Sequence, residues 1–315
     1  AITRYGGDVH GSYGHYHERE LAEALGKALA GVFTSNDIAC RFGLNGRDAL
    51  DAAARVARAA TGREMITSYG YHGTGEAWVH PPYPVGIPRE YQRLNTRFEW
   101  GDVKEMRFYS ERAAAVCVEV PPLPDEEITP FLQACRRACD ESGAVFILDE
   151  VVTGFRFGLG GAVRRYGVKP DIACYGKCMS ATGAVSAIIG RRDLLELLDG
   201  RTFFSLTFGG RPSDCAVAAA TLRWLIDHRT EAYENLHSIG LALKDGLNEI
   251  GVKVIGQPER SVMVFDTEGM RRAFCSRMIA RGVVMDKPQF PTLAHTSDDV
   301  AETIAAAREA VKEIN

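Results

Sequence analysis

Two residues of this sequence have types and a spacing that suit an aldehyde cofactor. Asp149 closes the apolar run 144–148, and Lys177 follows it 28 residues later. A lysine amine can bind an aldehyde covalently, and a carboxylate at a strand end can keep a pyridine nitrogen protonated, so that the ring withdraws electrons. Taken alone, either residue is more often an ordinary surface side chain. Together they indicate pyridoxal 5'-phosphate chemistry, with Lys177 and Asp149 as the catalytic residues.

A phosphate group needs a binding site of its own, and the start of a helix can supply one. Small apolar residues recur at helical spacing over residues 45–61, which predicts a helix that begins at Gly46. Exposed amides of Gly46 and Arg47 at that end would favour an anion. An ordinary Asn-Gly turn before a helix explains the same pattern, so both interpretations stay open.

Two further features could hold the cofactor ring. Tyr71 and His72 stand before a glycine at a predicted strand end, where an aromatic side chain can lie flat on a ring, although a lone tyrosine is usually half-buried packing. Val151, two residues after Asp149, could pack against the ring. We therefore include Tyr71, His72 and Val151 among the candidate cofactor contacts.

The apolar pattern predicts an α/β fold. Short apolar runs alternate with segments of helical period, and strands that are apolar on both faces indicate a mostly parallel sheet covered by helices. Predicted strands cover residues 65–69, 113–120, 144–149, 171–175 and 184–189, and predicted helices cover 18–29, 45–61, 125–142, 213–228 and 231–250. A smaller α+β domain follows, with strands 252–255 and 261–265 and helices 270–281 and from 297 onward. The predicted division is a segment 1–34, a large cofactor-binding domain 35–229 and a small C-terminal domain 230–315.

The predicted sheet would gather the candidate residues. Ligands of open parallel sheets bind at the carboxyl ends of the strands, and Glu119, Asp149 and Lys177 all fall at such ends. We therefore expect three ionisable groups to face one crevice.

Composition excludes several classes of partner. The 315 residues are 46% hydrophobic and carry a formal net charge of -4 without a basic cluster, so we expect no nucleic acid. No apolar stretch approaches the length of a membrane span and no signal-peptide core is present, so we expect neither membrane insertion nor export. The eight cysteines include no Cys-x-x-Cys, which favours reduced thiols and a cytoplasmic location.

These motifs, taken in order, resemble those of the class III aminotransferases among the fold type I pyridoxal phosphate enzymes, and they are most similar to the glutamate-1-semialdehyde aminomutase branch. Residues 148–156, Leu-Asp-Glu-Val-Val-Thr-Gly-Phe-Arg, look like the family's Asp-Glu-Val-x-Thr-Gly-Phe-Arg segment. Residues 171–177 look like the segment that ends in its Schiff-base lysine, and residues 71–73 match its Tyr-His-Gly, whose aromatic ring stacks on the cofactor. Residues 294–300 are similar to the start of the branch's last helix. The resemblance runs from about residue 14 onward.

The resemblance implies a homodimeric, pyridoxal phosphate-dependent aminotransferase. Thr207 falls where the family has a threonine that reaches the phosphate of the neighbouring subunit's cofactor. The enzyme would move an amino group from a small-molecule amine or amino acid to a keto acid or aldehyde by ping-pong half reactions, with Lys177 moving the proton. Two alternatives stay open. One is an aminomutase, which moves the amine within a single substrate, and the other is a protein that binds the cofactor with little turnover.

The sequence departs from the family at three places. Residues 45–49 read Asn-Gly-Arg-Asp-Ala where the family usually has Ser-Gly-Ser/Thr-Glu-Ala, so a hydroxyl is missing from the phosphate site. The amides of Gly46 and Arg47 can still bind phosphate, and the Arg47 guanidinium could compensate for the hydroxyl. Val120 follows Glu119 in place of a proline. The amino-terminal segment, which carries substrate contacts in the family, is expected to be shortened.

The histidines near the start of the sequence could also form a metal site. His10, His15 and His17 lie close to two glutamates, but their spacing also suits a loop that leads into the helix 18–29. We therefore predict no metal. Cys178, beside Lys177, could be a reactive thiol, but we expect it to serve in packing.

Overall fold

The computed structural model describes residues 15–33, 37–75, 77–79, 85–199 and 201–314. They divide into two compact units, one within Ala1–Val120 and Glu127–Asp227 and the other within Pro121–Glu126 and His228–Asn315. His10 and residues 81–84 lie outside the described residues. In the described part of the chain, no helix combines the length and the apolar character that a membrane span requires.

A seven-stranded sheet forms the centre of the first unit. Its strands are β1 (Ile38–Gly43), β2 (Ile66–Tyr69), β3 (Asn95–Arg97), β4 (Ala115–Glu119), β5 (Val145–Glu150), β6 (Ile172–Tyr175) and β7 (Ser186–Arg191). They lie in the order β1-β7-β6-β5-β4-β2-β3. Strands β3, β2, β4, β5 and β6 pair in parallel, whereas β7 pairs antiparallel with β6 and with β1. The predicted fold class, a mostly parallel α/β sheet, is confirmed.

Helices cover this sheet. Those that precede residue 228 are α1 (Tyr16–Ala28), α2 (Gly46–Thr61), α3 (Arg89–Arg93), α4 (Val103–Ser110), α5 (Asp125–Ser142), α6 (Gly161–Tyr166), α7 (Arg192–Leu195) and α8 (Pro212–Asp227). The small apolar residues of α2, among them Ala53 and Val56, pack in one buried cluster with Cys117 of β4, Ile147 of β5 and Cys174 of β6. Because alanine and valine have small side chains, α2 lies close to the sheet. The first residues of α2 therefore lie near the ends of the strands.

The second unit is a smaller α+β assembly. It contains α9 (Arg229–Glu249), β8 (Val254–Gln257), β9 (Arg260–Met263), α10 (Glu268–Ala280), β10 (Pro288–Gln289) and α11 (Ser297–Lys312). The three strands form an antiparallel sheet in the order β10-β9-β8. Leu247, Met263, Phe274 and Ala307 form part of its core. The unit has a hydrophobic core of its own.

Several elements differ from the sequence-based expectation. The strand expected at 184–189 lies two residues later, at Ser186–Arg191, and its direction is antiparallel. Strand β1 was not predicted, because it is only partly buried and carries Arg41, which gives it no clear apolar run. Strand β3 and helices α3, α4, α6 and α7 are too short to give a clear period.

Candidate active site

The ends of three neighbouring parallel strands meet at one edge of the sheet. In the strand register, Glu119 of β4 lies opposite Asp149 of β5, and Asp149 lies opposite Cys174 of β6. After β6 the chain passes through Gly176 to Lys177. The sheet therefore positions the lysine and the carboxylate at the same edge, as the sequence predicted.

Lys177 begins a short 3-10 turn, Lys177–Met179, and its backbone is in the left-handed region, with φ at +41°. This conformation costs about 1–3 kcal/mol for a residue other than glycine, and such costs concentrate at functional sites. The side chain is exposed, and its amine makes no hydrogen bond within the described residues. The turn therefore presents an unengaged amine to the crevice.

Seven of the nine predicted site residues line one cavity of about 390 Å³. They are Gly46, Arg47, Tyr71, His72, Asp149, Val151 and Lys177. Glu119 and Thr207 are not among the lining residues. Five further residues, which the sequence analysis did not assign to the site, complete the lining: Asn45, Leu50, Gly73, Thr74 and Val152.

Asp149 is almost completely buried and each of its oxygens already accepts one hydrogen bond. Oδ1 accepts from the amide of Val151 at 3.0 Å, and Oδ2 lies 2.8 Å from Nδ1 of His72. A carboxylate oxygen can accept more than one hydrogen bond, so Asp149 still has room for the N–H of a protonated pyridine. His72 therefore contacts the carboxylate that we expect at the ring nitrogen.

Two cysteines lie beside Asp149 without adding negative charge to the site. Burial raises the pKa of Cys117 and of Cys174 well above the usual range, and the nearby charge of Asp149 raises both further. Both side chains therefore remain neutral thiols. Asp149 is a carboxylate that lines the cavity.

The backbone that carries Tyr71 is held by two charged side chains. Oε2 of Glu119 accepts from the amide of Tyr71 at 2.8 Å, and Nη2 of Arg97 donates to the carbonyl of Gly70 at 2.9 Å. Gly70 has φ at +109°, and a Cβ there would overlap the Cβ of Glu119, so glycine is required. Glu119 therefore supports the tyrosine loop, and Tyr71, which is 68% exposed, stands at the rim of the cavity.

The start of α2 is capped by Asn45, which changes the expected phosphate site. The Asn45 side chain accepts from the amide of Arg47 at 3.0 Å and from that of Asp48 at 3.3 Å, and Asp48 completes a capping box. The prediction that the Arg47 amide is exposed is therefore wrong in this structure, because a local side chain satisfies that amide. The amide of Gly46 makes no hydrogen bond within the described residues. An Asn-x-x-Asp pattern before a helix was a signal for this cap.

The cavity contains groups that suit the parts of pyridoxal phosphate. A Cβ at Gly46 would stand 2.8 Å from both Cγ atoms of Val151, so only glycine allows α2 to approach β5 this closely. Gly46, with its free amide, and Arg47 line this cavity and could bind an anion, and Asp149 and Lys177 line the same cavity. The residues present fit the cofactor.

The neighbouring carboxyl, Glu150, points away from this cavity and has a structural role. Its oxygens accept from the hydroxyl of Thr153 and from the amides of Ala162 and Val163, and the residue is fully buried. Burial raises the pKa of Glu150 from 4.5 to about 7, although these hydrogen bonds oppose the shift. Glu150 therefore joins the end of β5 to the start of α6.

The raised pKa of Glu150 predicts how stability depends on pH. Because the folded state binds this proton more tightly than the unfolded state, its contribution to stability is full below pH 4.5 and is lost as pH rises to about 7. The shift corresponds to roughly 3 kcal/mol. We expect Glu150→Gln to reduce the loss of unfolding free energy between about pH 5 and about pH 8. Urea unfolding of both proteins at the two pH values measures this, and an unchanged difference would contradict the assignment.

Thr207 is not among the residues that line the cavity with Lys177. It is exposed, in the turn that precedes α8. A second cavity of about 410 Å³ lies beside this turn and is lined by Ser205, Leu206 and Gly209 among others. Within this one chain, Thr207 and Lys177 do not share a cavity.

The described histidines near the start of the chain have structural roles. Nδ1 of His15 accepts from the amides of His17 and Glu18 and so caps α1, and its Nε2 lies 2.6 Å from the carbonyl of Gly210. His17 pairs with Glu20 at 2.8 Å. Within the described ranges, no group of three or more His, Cys, Asp or Glu side chains is arranged to hold a metal ion.

Cys178 is engaged by a neighbouring guanidinium. Nη2 of Arg156 donates to its sulfur at 3.1 Å, and Arg156 is 8% exposed. The thiol is thus part of the packing behind Lys177, in line with the structural role expected from the sequence.

Comparison with known proteins places this arrangement in a family. The family model for class-III aminotransferases matches residues 124–305. The glutamate-1-semialdehyde 2,1-aminomutase of Anaeromyxobacter dehalogenans is 32% identical over 87% of this chain and 73% of its own length. The enzyme of the same name from Thermomicrobium roseum is 30% identical over 95% of this chain and 78% of its own length.

Solved structures share the fold. An omega-transaminase from Sphaerobacter thermophilus superimposes with a TM-score of 0.86 at 21% identity, over 99% of this chain and 82% of its own. A structure described as a transaminase with PLP bound gives 0.85 at 23% identity, over 98% of this chain and 80% of its own. The sequence relatives, the family model and the fold agree, so this chain belongs to the class III aminotransferases, enzymes that transfer amino groups with pyridoxal phosphate.

Proposed function

We propose that the cavity at the strand ends binds pyridoxal phosphate and that Lys177 is its covalent anchor. The observation that carries the proposal is the meeting of an unengaged lysine amine with a buried carboxylate in one cavity. Asp149 would accept from the ring nitrogen, and Val151 and Tyr71 would confine the ring. Gly46 and Arg47 would bind the phosphate.

Each of these side chains then has a defined task. Bound pyridoxal phosphate supplies an electron-withdrawing ring. Asp149 holds the proton on the ring nitrogen that this withdrawal requires, and His72 orients Asp149 through its 2.8 Å contact. The Lys177 amine, when it is not covalently bound, would be the base that removes the proton from the substrate carbon bearing the amino group.

We also propose that the enzyme is a homodimer in which Thr207 serves the neighbouring site. Thr207 is exposed, and the neighbouring Phe208 of the same turn is 42% exposed. Thr207 is also not among the residues that line the cavity with Lys177 in its own chain. A cytoplasmic location is part of the proposal. Its support is the eight cysteines, none of which forms a disulfide.

Transfer between two small molecules is the function that we propose, with an amine or amino acid as donor and a keto acid or aldehyde as acceptor. A specific observation favours a second candidate, because the similar curated sequences are named as aminomutases. In that reaction the amino group stays on the carbon skeleton that brought it.

An isotope-labelled amino donor distinguishes the two functions. The holoenzyme is incubated with a panel of labelled amino acids and amines and with pyruvate as the acceptor, and the products are analysed by mass spectrometry. We expect the label to appear in alanine. If no donor delivers label to pyruvate or to any other keto acid or aldehyde tested, intermolecular transfer is wrong. Labelled glutamate-1-semialdehyde is then tested as a single substrate. If its labelled amino group moves only within that molecule, the enzyme is an aminomutase. If no labelled amino group moves in any assay, the protein binds the cofactor without turnover.

A further inference from the structure

Three side chains beside the start of α2 form a hydrogen-bonded chain that ends at the cavity. Nε1 of Trp78 donates to Oδ1 of Asp51 at 2.7 Å, and Nε of Arg47 donates to Oδ2 of the same carboxylate at 3.2 Å. Trp78 is only 3% exposed, and its ring meets the His72 ring edge-on at a centroid distance of 5.1 Å. Asp51 therefore links the Arg47 guanidinium, by two hydrogen bonds, to the buried indole of Trp78.

The loop after Tyr71 packs closely over this chain of side chains. A Cβ at Gly75 would stand 2.9 Å from Nε of Arg47, 3.3 Å from Oδ1 of Asp51 and 3.4 Å from Cδ1 of Trp78. A Cβ at Gly73 would stand 3.5 Å from the Cβ of Arg47. The backbone of the loop thus limits the positions that the Arg47 side chain can take.

The hydrogen bond to Asp51 uses only one side of the Arg47 guanidinium. Its two terminal nitrogens make no hydrogen bond within the described residues, and Arg47 lines the same cavity as Gly46. The amide of Arg47 is occupied by Asn45, so the side chain is what this residue can offer to a ligand. Two terminal nitrogens in one plane match two oxygens of a phosphate.

We infer that the Arg47 guanidinium binds the cofactor's phosphate, where the family has a hydroxyl, and that Asp51 and Trp78 are positioning residues for it. The inference rests on the proposed function. The negative charge of Asp51 opposes phosphate binding, but the Arg47 and Asp51 side chains are 51% and 36% exposed, so water screens that repulsion. A side chain that is fixed before binding loses less conformational entropy when it binds. We infer that this saving for Arg47 exceeds the screened repulsion between Asp51 and the phosphate.

Cofactor affinity tests the inference directly. Pyridoxal phosphate and pyridoxal, which has the same aldehyde without a phosphate, are titrated into the apoprotein and followed by visible absorbance. For Arg47→Ala, Asp51→Asn and Trp78→Phe we expect the Kd of pyridoxal phosphate to rise about tenfold and the Kd of pyridoxal to stay unchanged. Trp78→Phe retains both charges, so it separates positioning from electrostatics.

Two comparisons keep the test decisive. Asp140→Asn removes the carboxylate from another i,i+4 pair, Arg136 with Asp140, far along the chain on α5, and should change neither Kd. In the Arg47→Ala background, Asp51→Asn should have no further effect, because Asp51 acts through Arg47. Equal losses for both ligands, or tighter binding of pyridoxal phosphate by Asp51→Asn, would overturn the inference. Failure of the unaltered protein to form a borohydride-reducible bond with either ligand at Lys177 would instead contradict the proposed function.

Discussion

Lys177→Ala is expected to lower kcat for amino transfer by at least about 10³-fold, because the variant loses both the covalent anchor and the base that moves the proton. The amine makes no hydrogen bond within the described residues, so its removal should leave the free energy of unfolding within about 0.5 kcal/mol of the original value. Turnover with an amino donor and acceptor, together with urea unfolding, measures the two quantities. The expected combination is a large loss of rate in a protein of unchanged stability.

A second exposed lysine serves as the control for this prediction. Lys169 lies in the loop between α6 and β6, outside the residues that line the cavity. Lys169→Ala should retain full turnover and the borohydride-reducible bond, and peptide mapping should find that bond at residue 177. Lys177→Ala that keeps most of its turnover, or that still forms the reducible bond, would show that another amine does the chemistry.

The sequence was most informative where the signal is local. Helix α5 was predicted with both of its ends, since its apolar period runs unbroken from an acidic start to a glycine stop. Asp149 and Lys177 were predictable for a related reason, because each follows an apolar run and parallel strands bring such ends together. For these two residues, the position at the end of a strand was enough to place them in the cavity.

The parts that could not be predicted depend on partners far apart in the chain. Asp51 and Trp78 are 27 positions apart, and neither belongs to a local motif, so their hydrogen bond appears only in the folded chain. The direction of β7 is likewise set by the connection and by its neighbours, and its composition is that of any buried strand. Glu119 lies at the expected strand end, but it supports the backbone of Tyr71 and is not among the lining residues, so a direct contact with the cofactor stays a prediction.

Asp149→Asn is expected to lower kcat by roughly 10²- to 10³-fold while the bond to Lys177 still forms. An asparagine of the same size keeps an oxygen for the amide of Val151, but it has no charge with which to hold a proton on the ring nitrogen. The consequence is a weaker withdrawal of electrons at the step in which Lys177 takes the substrate proton. Single-turnover absorbance with an amino donor measures that step, and a substrate deuterium isotope effect should increase as proton removal becomes slower.

Glu150→Gln is the matched control, because it changes the adjacent carboxyl, which faces Thr153 and the start of α6. It should alter the pH dependence of stability and leave the rate of proton removal within a few-fold. The two neighbours thus separate a carboxylate that acts on the ring from a buried carboxyl that joins β5 to the start of α6. If both variants lose rate equally, the loss comes from disturbance of β5, and the assignment of Asp149 to the ring nitrogen is wrong. If neither loses rate, another group holds that proton, and His72, 2.8 Å from Asp149, would be the next residue to replace.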